Sequence, residues 1–239
     1  MINVFKKEDG HSASNDWVES HFSFSFGNYY DADNVRFGPM RVLNDDTIQP
    51  NKGFGIHPHR EAEVVSIAIT GQLKHEDSLG NSGVIEFGQV QRMTAGTGIL
   101  HSEINPSETE PGRFLQLWFF PDTKQLPPSY EDVKFDVNQL TNQLLPVVAP
   151  SASAGVAMIH QDVTIYLSKL EQGKSLDFNQ EEDRRILVYV ISGAAYLNNE
   201  HLIGKQDSAR ITNLSSLDIK AEEDCFFMLI DLPGGDLSC

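Results

Sequence analysis

The sequence predicts an all-β fold, and three observations lead to this prediction. The chain has 239 residues, of which 40% are apolar, enough for a sizeable core. Short segments rich in β-branched and aromatic residues recur along it, whereas helical periodicity is weak. Eighteen glycines and eleven prolines supply turns between these segments. Evenly spaced strands separated by turn residues indicate a barrel or a sandwich.

Four apolar segments are the clearest predicted strands. They are Val64–Ile69, Phe114–Phe120, Ile186–Ile191 and Phe226–Ile230. The best helical candidate is a short segment at Asn138–Leu145. The longest apolar runs have six residues, far below the ~20 that a membrane-spanning helix needs. We therefore expect no membrane segment.

An internal repeat divides the chain into two similar halves. In each half a strand ends at a glycine, a second glycine follows, and a later strand is closed by a proline. These positions are Gly71, Gly88 and Pro121 in the first copy and Gly193, Gly204 and Pro233 in the second. We therefore expect two related β-barrels, at residues 1–130 and 151–239, with a connector at 131–150.

The charge and the cysteines limit the classes of function. There are 34 acidic and 18 basic side chains, which gives a net charge of −16. This balance argues against direct binding of nucleic acid or anionic membranes, which depends on clustered Lys and Arg. Cys225 and Cys239 give no disulfide framework. The first ten residues lack the apolar core of a signal peptide, so we expect a cytoplasmic protein.

Two pairs of polar side chains carry the chemistry. His57 and His59 are two residues apart at the start of a predicted strand, and His101 and Glu103 repeat that spacing. Residues i and i+2 of a strand point to the same face. Pairing of the two strands would bring three imidazoles and one carboxylate together. This donor set suits Fe, Mn, Ni, Cu or Zn and leaves coordination positions open for substrate.

Other polar residues allow more than one interpretation. Glu63 shares the spacing of His57 and His59, so it could be a fourth ligand, or it could pair with Arg60 or with solvent. His75 could lie near the barrel mouth and touch substrate, or it could be a loop histidine in solvent. We interpret two further histidines as structural or exposed, and four phenylalanines as pocket-lining or core residues. These are His160 and His201, and Phe22, Phe24, Phe26 and Phe37.

At these motifs the chain resembles the cupin superfamily and, within it, the pirin family, particularly its bacterial quercetinase-like branch. Six blocks carry the resemblance: His21–Gly27, Phe37–Asp46, His57–Arg60, His75–Asn81, Thr94–Glu103 and Leu126–Tyr130. They span roughly residues 21 to 130, and the second half matches more loosely as a degenerate cupin. The fold implied is two tandem cupin barrels of the double-stranded β-helix, or jelly-roll, type.

The resemblance implies one mononuclear divalent transition metal, held in the N-terminal barrel. The implied ligands are His57, His59, His101 and Glu103, with Glu63 close to them but not bound. Iron is the first expectation, and manganese, nickel, copper and zinc are the alternatives.

Counting from the repeated glycines tests the second barrel for the same ligands. The positions equivalent to the four ligands are Asn179, Glu181, Leu217 and Ile219. None of them is a histidine. We therefore expect a degenerate C-terminal barrel that binds no metal at the equivalent place.

The resemblance also implies a function. Relatives of this kind cleave flavonols such as quercetin with O₂, breaking the central ring and releasing carbon monoxide. Glu103 would then be catalytic, accepting the proton of the 3-hydroxyl group, and the substrate would be a small, aromatic, enolisable molecule. The alternative is a non-catalytic, metal-containing regulatory protein that binds a transcription factor or a metabolic enzyme. A sugar- or nucleotide-modifying cupin fits the six blocks less well. We expect a monomer.

Overall fold

The computed structural model describes residues 1–235, and nearly all of its regular structure is β-strand, as predicted. Two short 3₁₀ helices lie at Lys7–Asp9 and Val137–Leu140. No helix among these residues is long and apolar enough to cross a membrane. The strands in chain order are Ile2–Phe5 (β1), His11–Ser14 (β2), Val18–Phe22 (β3), Met40–Ile48 (β4), Gly53–His59 (β5), Glu63–Thr70 (β6), Gln72–Asp77 (β7), Ser82–Glu86 (β8), Gln89–Thr94 (β9), Ile99–Ile104 (β10), Gly112–Phe119 (β11), Ser129–Lys134 (β12), Leu145–Ala149 (β13), Ala157–Met158 (β14), Thr164–Leu170 (β15), Ser175–Asn179 (β16), Arg185–Ser192 (β17), Ala194–Leu197 (β18), His201–Gly204 (β19), Ser208–Thr212 (β20), Ser216–Ala221 (β21) and Cys225–Leu232 (β22).

The chain divides into two compact units. The first unit comprises His11–Phe135 and Pro150–Gln161. The second unit comprises Met1–Gly10, Asp136–Ala149 and the described residues from Asp162 onward. This division differs from the linear one expected from the repeat, because β1 pairs with β20 in the second unit. A strand joins the sheet edge that is free to bond it, and this need not be the edge nearest in sequence.

The first unit is built from two antiparallel sheets. The larger has the strand order β12-β9-β6-β11-β4-β3-β2, and the smaller has the order β5-β10-β7-β8. Apolar side chains from both sheets meet in the interior, where Ile48, Ala68 and Phe114 of the larger sheet pack against Leu73 and Ile85 of the smaller. The smaller sheet carries both histidine motifs.

The second unit repeats this plan around a large apolar core cluster. One sheet has the order β1-β20-β17-β22-β15-β13, and the other has the order β16-β21-β18-β19. Leu217 and Ile219, the residues equivalent to His101 and Glu103, are fully buried in its core. Cys225 is a free, buried thiol whose pKa is raised to about 12 by burial and by Glu223. Cys239 lies outside the described residues.

The predicted helix at Asn138–Leu145 is wrong. A single 3₁₀ turn at Val137–Leu140 takes its place, and its first turn is capped by the Asp136 side chain, which accepts from the Asn138 amide. Asn142 then adopts a left-handed φ of 55°, which ends any helix. The chain continues as β13.

Candidate metal centre

The site is built on two adjacent antiparallel strands, β5 and β10. In their register His101 lies opposite His57, and Glu103 lies opposite Phe54. Between these pairs β5 has two residues where β10 has one, and a bulge of this kind re-aims the neighbouring side chains. Because β5 is the edge strand of its sheet, it tolerates Pro58, which has no N–H to donate.

Three imidazole rings converge on one point of the first unit. The ring centroids are 4.4 Å apart for His57 and His101, 4.8 Å for His59 and His101, and 4.9 Å for His57 and His59. One ring nitrogen from each histidine lies within 4.8 Å of the other two. The structure thus brings together the three histidines that the spacing indicated.

The outward-facing nitrogens of two of these rings are held by neighbours. His57 Nδ1 lies 2.7 Å from the Gly55 carbonyl oxygen. It donates its proton to that oxygen, so the free lone pair of the ring is on Nε2. His101 Nδ1 lies 3.2 Å from Nδ1 of His75. The ring of His59 packs edge-on against Trp118, with centroids 4.6 Å apart.

The surroundings favour neutral imidazoles. Burial, together with the neighbouring histidines, lowers the pKa of His59 to about 4 and the pKa of His101 to about 3. At neutral pH these rings are therefore uncharged, and a neutral imidazole has the lone pair that a metal ion requires.

The three histidines fit a metal ion. His101 Nε2 is buried and has no hydrogen-bond partner among residues 1–235. A buried polar atom without a partner is costly, and a cation bound between the rings would satisfy it. Three imidazole nitrogens with open positions suit a divalent transition metal, but they do not select one element.

Glu103 lies beside the histidines, with both carboxylate oxygens already hydrogen-bonded. It is 2% exposed. Oε1 accepts from the Ser66 hydroxyl at 2.9 Å, and Oε2 accepts from the Gln116 amide at 2.7 Å. The group of mutually close ligand atoms consists of the three histidines. A metal-binding role for Glu103 therefore stays a prediction.

A cavity of about 380 Å³ opens beside the site, and both His57 and Glu103 line it. Its wall is largely aromatic, and its remaining polar lining comes from neighbouring strands. The aromatic residues are Trp17, Phe22, Phe26, Phe54 and Trp118, and the polar ones include Ser20, Asn44, Asp46 and Gln116. An apolar pocket with a few convergent polar groups is the usual form of a small-molecule site.

The sequence indicated only part of this lining. Phe22 and Phe26 line the cavity, whereas Phe24 is buried in the core. Asn44 and Asp46 were not recognised as cavity residues. The only signal in the sequence was the i, i+2 spacing of these two polar residues on strand β4, which puts them on one face.

Glu63 is not among the mutually close ligand atoms of the site. Its carboxylate accepts from the Thr94 hydroxyl at 3.1 Å and from the His160 backbone N–H at 3.2 Å, and burial raises its pKa. Neither of these partners is a ligand histidine, and a place close to the metal stays a prediction for Glu63. Glu61, with a φ of 51°, interrupts the strand alternation between His59 and Glu63, so the shared spacing does not produce a shared face.

His75 is neither at the barrel mouth nor in solvent, and both interpretations of it were wrong. It lies on β7 and is fully buried. Its ring stacks on Tyr130 with centroids 4.4 Å apart. Its Nδ1 lies 3.2 Å from Nδ1 of His101.

Two family models match the chain in succession. Residues 5–119 match the model described as Pirin, and residues 146–232 match the model described as the quercetinase C-terminal cupin domain. These ranges fall on the two halves of the repeat.

Full-length relatives match as well. A protein of Escherichia coli K12 named quercetin 2,3-dioxygenase is 36% identical over 233 residues, covering 98% of this chain and 99% of its own. The crystal structure of YhhW from E. coli superposes with a TM-score of 0.93 at 34% identity, covering all of both chains. A second structure, of the bacterial pirin YhhW in complex with nickel(II), gives 0.92 at 34% identity, covering 98% of this chain and all of that one.

Proposed function

The chain belongs to the pirin family, and from that premise we propose that it is a metal-dependent dioxygenase that cleaves flavonols such as quercetin with O₂. The single observation that carries the proposal is the position of the three-histidine group at the wall of an aromatic cavity. His57 and Glu103 face the same space as five aromatic rings. A flat aromatic molecule held there would lie against both the ligands and the carboxylate.

His57, His59 and His101 would hold the metal, and Glu103 would complete the set or stay beside it. When bound, a divalent transition metal supplies a Lewis acid that stabilises the negative charge of the flavonol enolate and brings the substrate and O₂ together. Overall, one flavonol and one O₂ give the ring-opened ester and carbon monoxide, and no external reductant is needed. Relatives named quercetin 2,3-dioxygenase support this substrate class.

In this proposal Glu103 accepts the proton of the substrate's 3-hydroxyl group. A general base must lie within hydrogen-bonding reach of the proton that it takes. Ser66 and Gln116 each donate to one oxygen of Glu103, so the carboxylate is held in one orientation at the wall of the cavity. The cavity wall is largely aromatic, and charges interact more strongly in surroundings of low dielectric constant.

The identity of the metal is a separate part of the proposal. Iron is the first candidate, and manganese, nickel, copper and zinc are the alternatives. The nickel(II) complex of the E. coli pirin supports a divalent ion at this kind of site. Elemental analysis of protein purified without added metal would identify the native ion, and we expect one ion per chain.

The test is turnover of quercetin by the protein loaded with each metal in turn. We expect loss of the visible absorbance of quercetin, uptake of one O₂ and release of one carbon monoxide per flavonol. Glu103→Gln keeps the size of the side chain but removes the base, and general-base catalysis typically contributes about 10²–10⁴-fold. We therefore expect kcat to fall at least about 100-fold while the metal is still bound.

Glu63→Gln is the matched control, because it removes a buried carboxylate that contacts Thr94 and His160 and not the cavity. We expect this variant to keep the parent rate. Absence of turnover with every metal would rule the dioxygenase out, and an unchanged rate in Glu103→Gln would rule out Glu103 as its base. A single stoichiometric protein partner found alongside inactive protein would instead favour the regulatory alternative.

A further inference from the structure

The metal-ligand strand β10 has a second neighbour, β7, which lies on the side opposite to β5. In the register of these strands Glu103 lies opposite His75, and His101 lies opposite Asp77. The side chains of His75 and Asp77 are both fully buried. A buried histidine and a buried aspartate therefore stand directly behind the ligand His101.

The three side chains form a chain of close polar contacts. His101 Nδ1 lies 3.2 Å from His75 Nδ1, and His75 Nε2 lies 3.3 Å from Asp77 Oδ2. The Asp77 carboxylate also accepts from the Asn81 amide at 2.8 Å and from the Leu79 backbone N–H at 2.9 Å. Both oxygens of Asp77 thus face hydrogen-bond donors, and the side chain acts as an acceptor.

The positions of the protons follow from the partners. Because Asp77 is an acceptor, His75 carries its proton on Nε2. The lone pair of the His75 ring is then on Nδ1. The side-chain N–H of Gln91, 3.1 Å away, also requires a lone pair on that Nδ1 and shares it. The nitrogen facing it, His101 Nδ1, must then carry a proton. A neutral His101 protonated on Nδ1 has its lone pair on Nε2, the buried atom without a hydrogen-bond partner in the described chain.

We propose that His75, backed by Asp77, is the positioning residue of the ligand His101. It accepts the Nδ1 proton of His101, fixes the plane of that ring, and selects the tautomer that presents Nε2 to a metal ion. A metal-binding histidine commonly donates its second N–H to an acceptor, and loss of that acceptor typically costs about 10–100-fold in metal affinity. The inference rests on the metal site of the proposed function but not on flavonol cleavage.

The first test measures the affinity of the full-length, metal-free chain for Zn²⁺ by competition with a chelating indicator. His75→Phe keeps a ring to stack on Tyr130 but removes the acceptor, and we expect a loss of about 10–100-fold. His75→Gln restores an acceptor oxygen, and we expect it to recover most of the affinity. Tyr130→Phe keeps the stacked ring and serves as the packing control, with affinity within about twofold of the parent.

Asp77→Asn guards against a result caused by misfolding. It has nearly the same shape, but its amide can donate to His75 Nε2 and so force the proton onto His75 Nδ1. His101 then loses its acceptor, and we expect a loss similar to that of His75→Phe, with thermal unfolding confirming that the variant is folded.

A second measurement locates the ring protons of His75 and His101 directly. In Zn²⁺-loaded protein with ¹⁵N-labelled histidines, NMR should show His101 protonated on Nδ1 and His75 on Nε2. His75 protonated on Nδ1 would overturn the inference, as would zinc affinity within twofold of the parent in both His75→Phe and Asp77→Asn. If the parent itself binds no metal, the proposed function fails instead, so the two failures are distinguishable.

Discussion

Asp46 is the most unusual single residue of the cavity. It is 3% exposed, and one of its carboxylate oxygens, Oδ1, has no hydrogen-bond partner among the described residues. Burial, followed by the charges of Asp45 and Glu103, raises its pKa to about 7, although a hydrogen bond from Ser20 opposes this shift. The folded protein therefore binds a proton at Asp46 that the unfolded chain releases near pH 4.

This difference predicts a pH-dependent effect of Asp46→Asn in the metal-free protein. A raised folded-state pKa means that stability is lost as pH rises from about 4 to about 7. The neutral amide does not suffer this loss. The free energy of unfolding of the variant should therefore rise relative to that of the parent over that range, by about 4 kcal/mol at pH 8, because the pKa is raised from 3.8 to about 7 and one pKa unit corresponds to about 1.4 kcal/mol. Urea unfolding at several pH values measures the difference.

The adjacent Asp45 provides a control of opposite sign. It is buried and accepts two hydrogen bonds from Arg113, at 2.7 and 2.6 Å. Asp45→Asn leaves the guanidinium without its ionised partner, so this change should destabilise the protein at pH 8. A parent and an Asp46→Asn variant with the same pH dependence would contradict the shift at Asp46.

The histidines show how far residue-level prediction extends. His57, His59 and His101 could be predicted because spacing along one strand maps directly onto one face of a sheet. His75 could not be placed in the same way, because its partner lies on another strand. Its contact with His101 depends on the register between β7 and β10, which local spacing does not contain.

At the scale of elements, the closeness of β5 to β10 determines the metal site. Gly53 lies opposite Ile104, and a Cβ atom on Gly53 would collide with the Glu103 carbonyl and with Ile104 Cα. Gly55 lies two residues further along the same strand, and a Cβ atom there would meet open space. The two glycines therefore form a matched pair.

We expect Gly53→Ala to push β5 away from β10 and Gly55→Ala to leave the strands in place. Overpacking of this kind typically costs about 1–3 kcal/mol. For Gly53→Ala we predict a corresponding loss of stability in urea unfolding and about a tenfold weaker affinity for Zn²⁺. For Gly55→Ala we predict an affinity within about twofold of the parent. Equal zinc affinities in the two variants would show that the spacing of these strands does not control the site.

The bulge between these strands marks a limit of prediction from sequence at this scale. The i, i+2 spacing indicated that β5 and β10 would present their side chains together, and they do. The two residues of β5 that lie opposite one residue of β10 were not expected. Bulges arise from how two strands meet, and nothing in either strand alone specifies where the extra residue lies.

At the scale of the whole molecule, the two units are interleaved in sequence. The N-terminal strand β1 completes the edge of the second unit, although it comes before the entire first unit in the chain. Lys6 reinforces this position through an ion pair of 2.8 Å with Asp207 and a hydrogen bond to the Leu202 carbonyl. The repeat predicted two barrels but could not predict this exchange, because the internal similarity does not include β1.

The interleaving predicts that a change at the N-terminus affects the stability of the second unit and not metal binding. Val4 packs against the second unit's core and lies opposite Ala209, whereas Asn3 is exposed on the other face of β1. Val4→Asp removes apolar contacts and places a charge against that core, so we expect urea unfolding to show a loss of about 2 kcal/mol. Asn3→Asp adds the same charge facing solvent, and it should leave stability within about 0.5 kcal/mol of the parent.

Zinc affinity separates this prediction from a general loss of structure. All the residues that line or hold the metal site lie in the first unit, and the contacts of β1 described above lie in the second. Below the urea concentrations that unfold the chain, both variants should therefore bind Zn²⁺ as tightly as the parent. A zinc affinity of Val4→Asp that fell together with its free energy of unfolding would contradict this prediction. It would mean that the two units unfold together and that the metal site depends on β1, which contributes no residue to it.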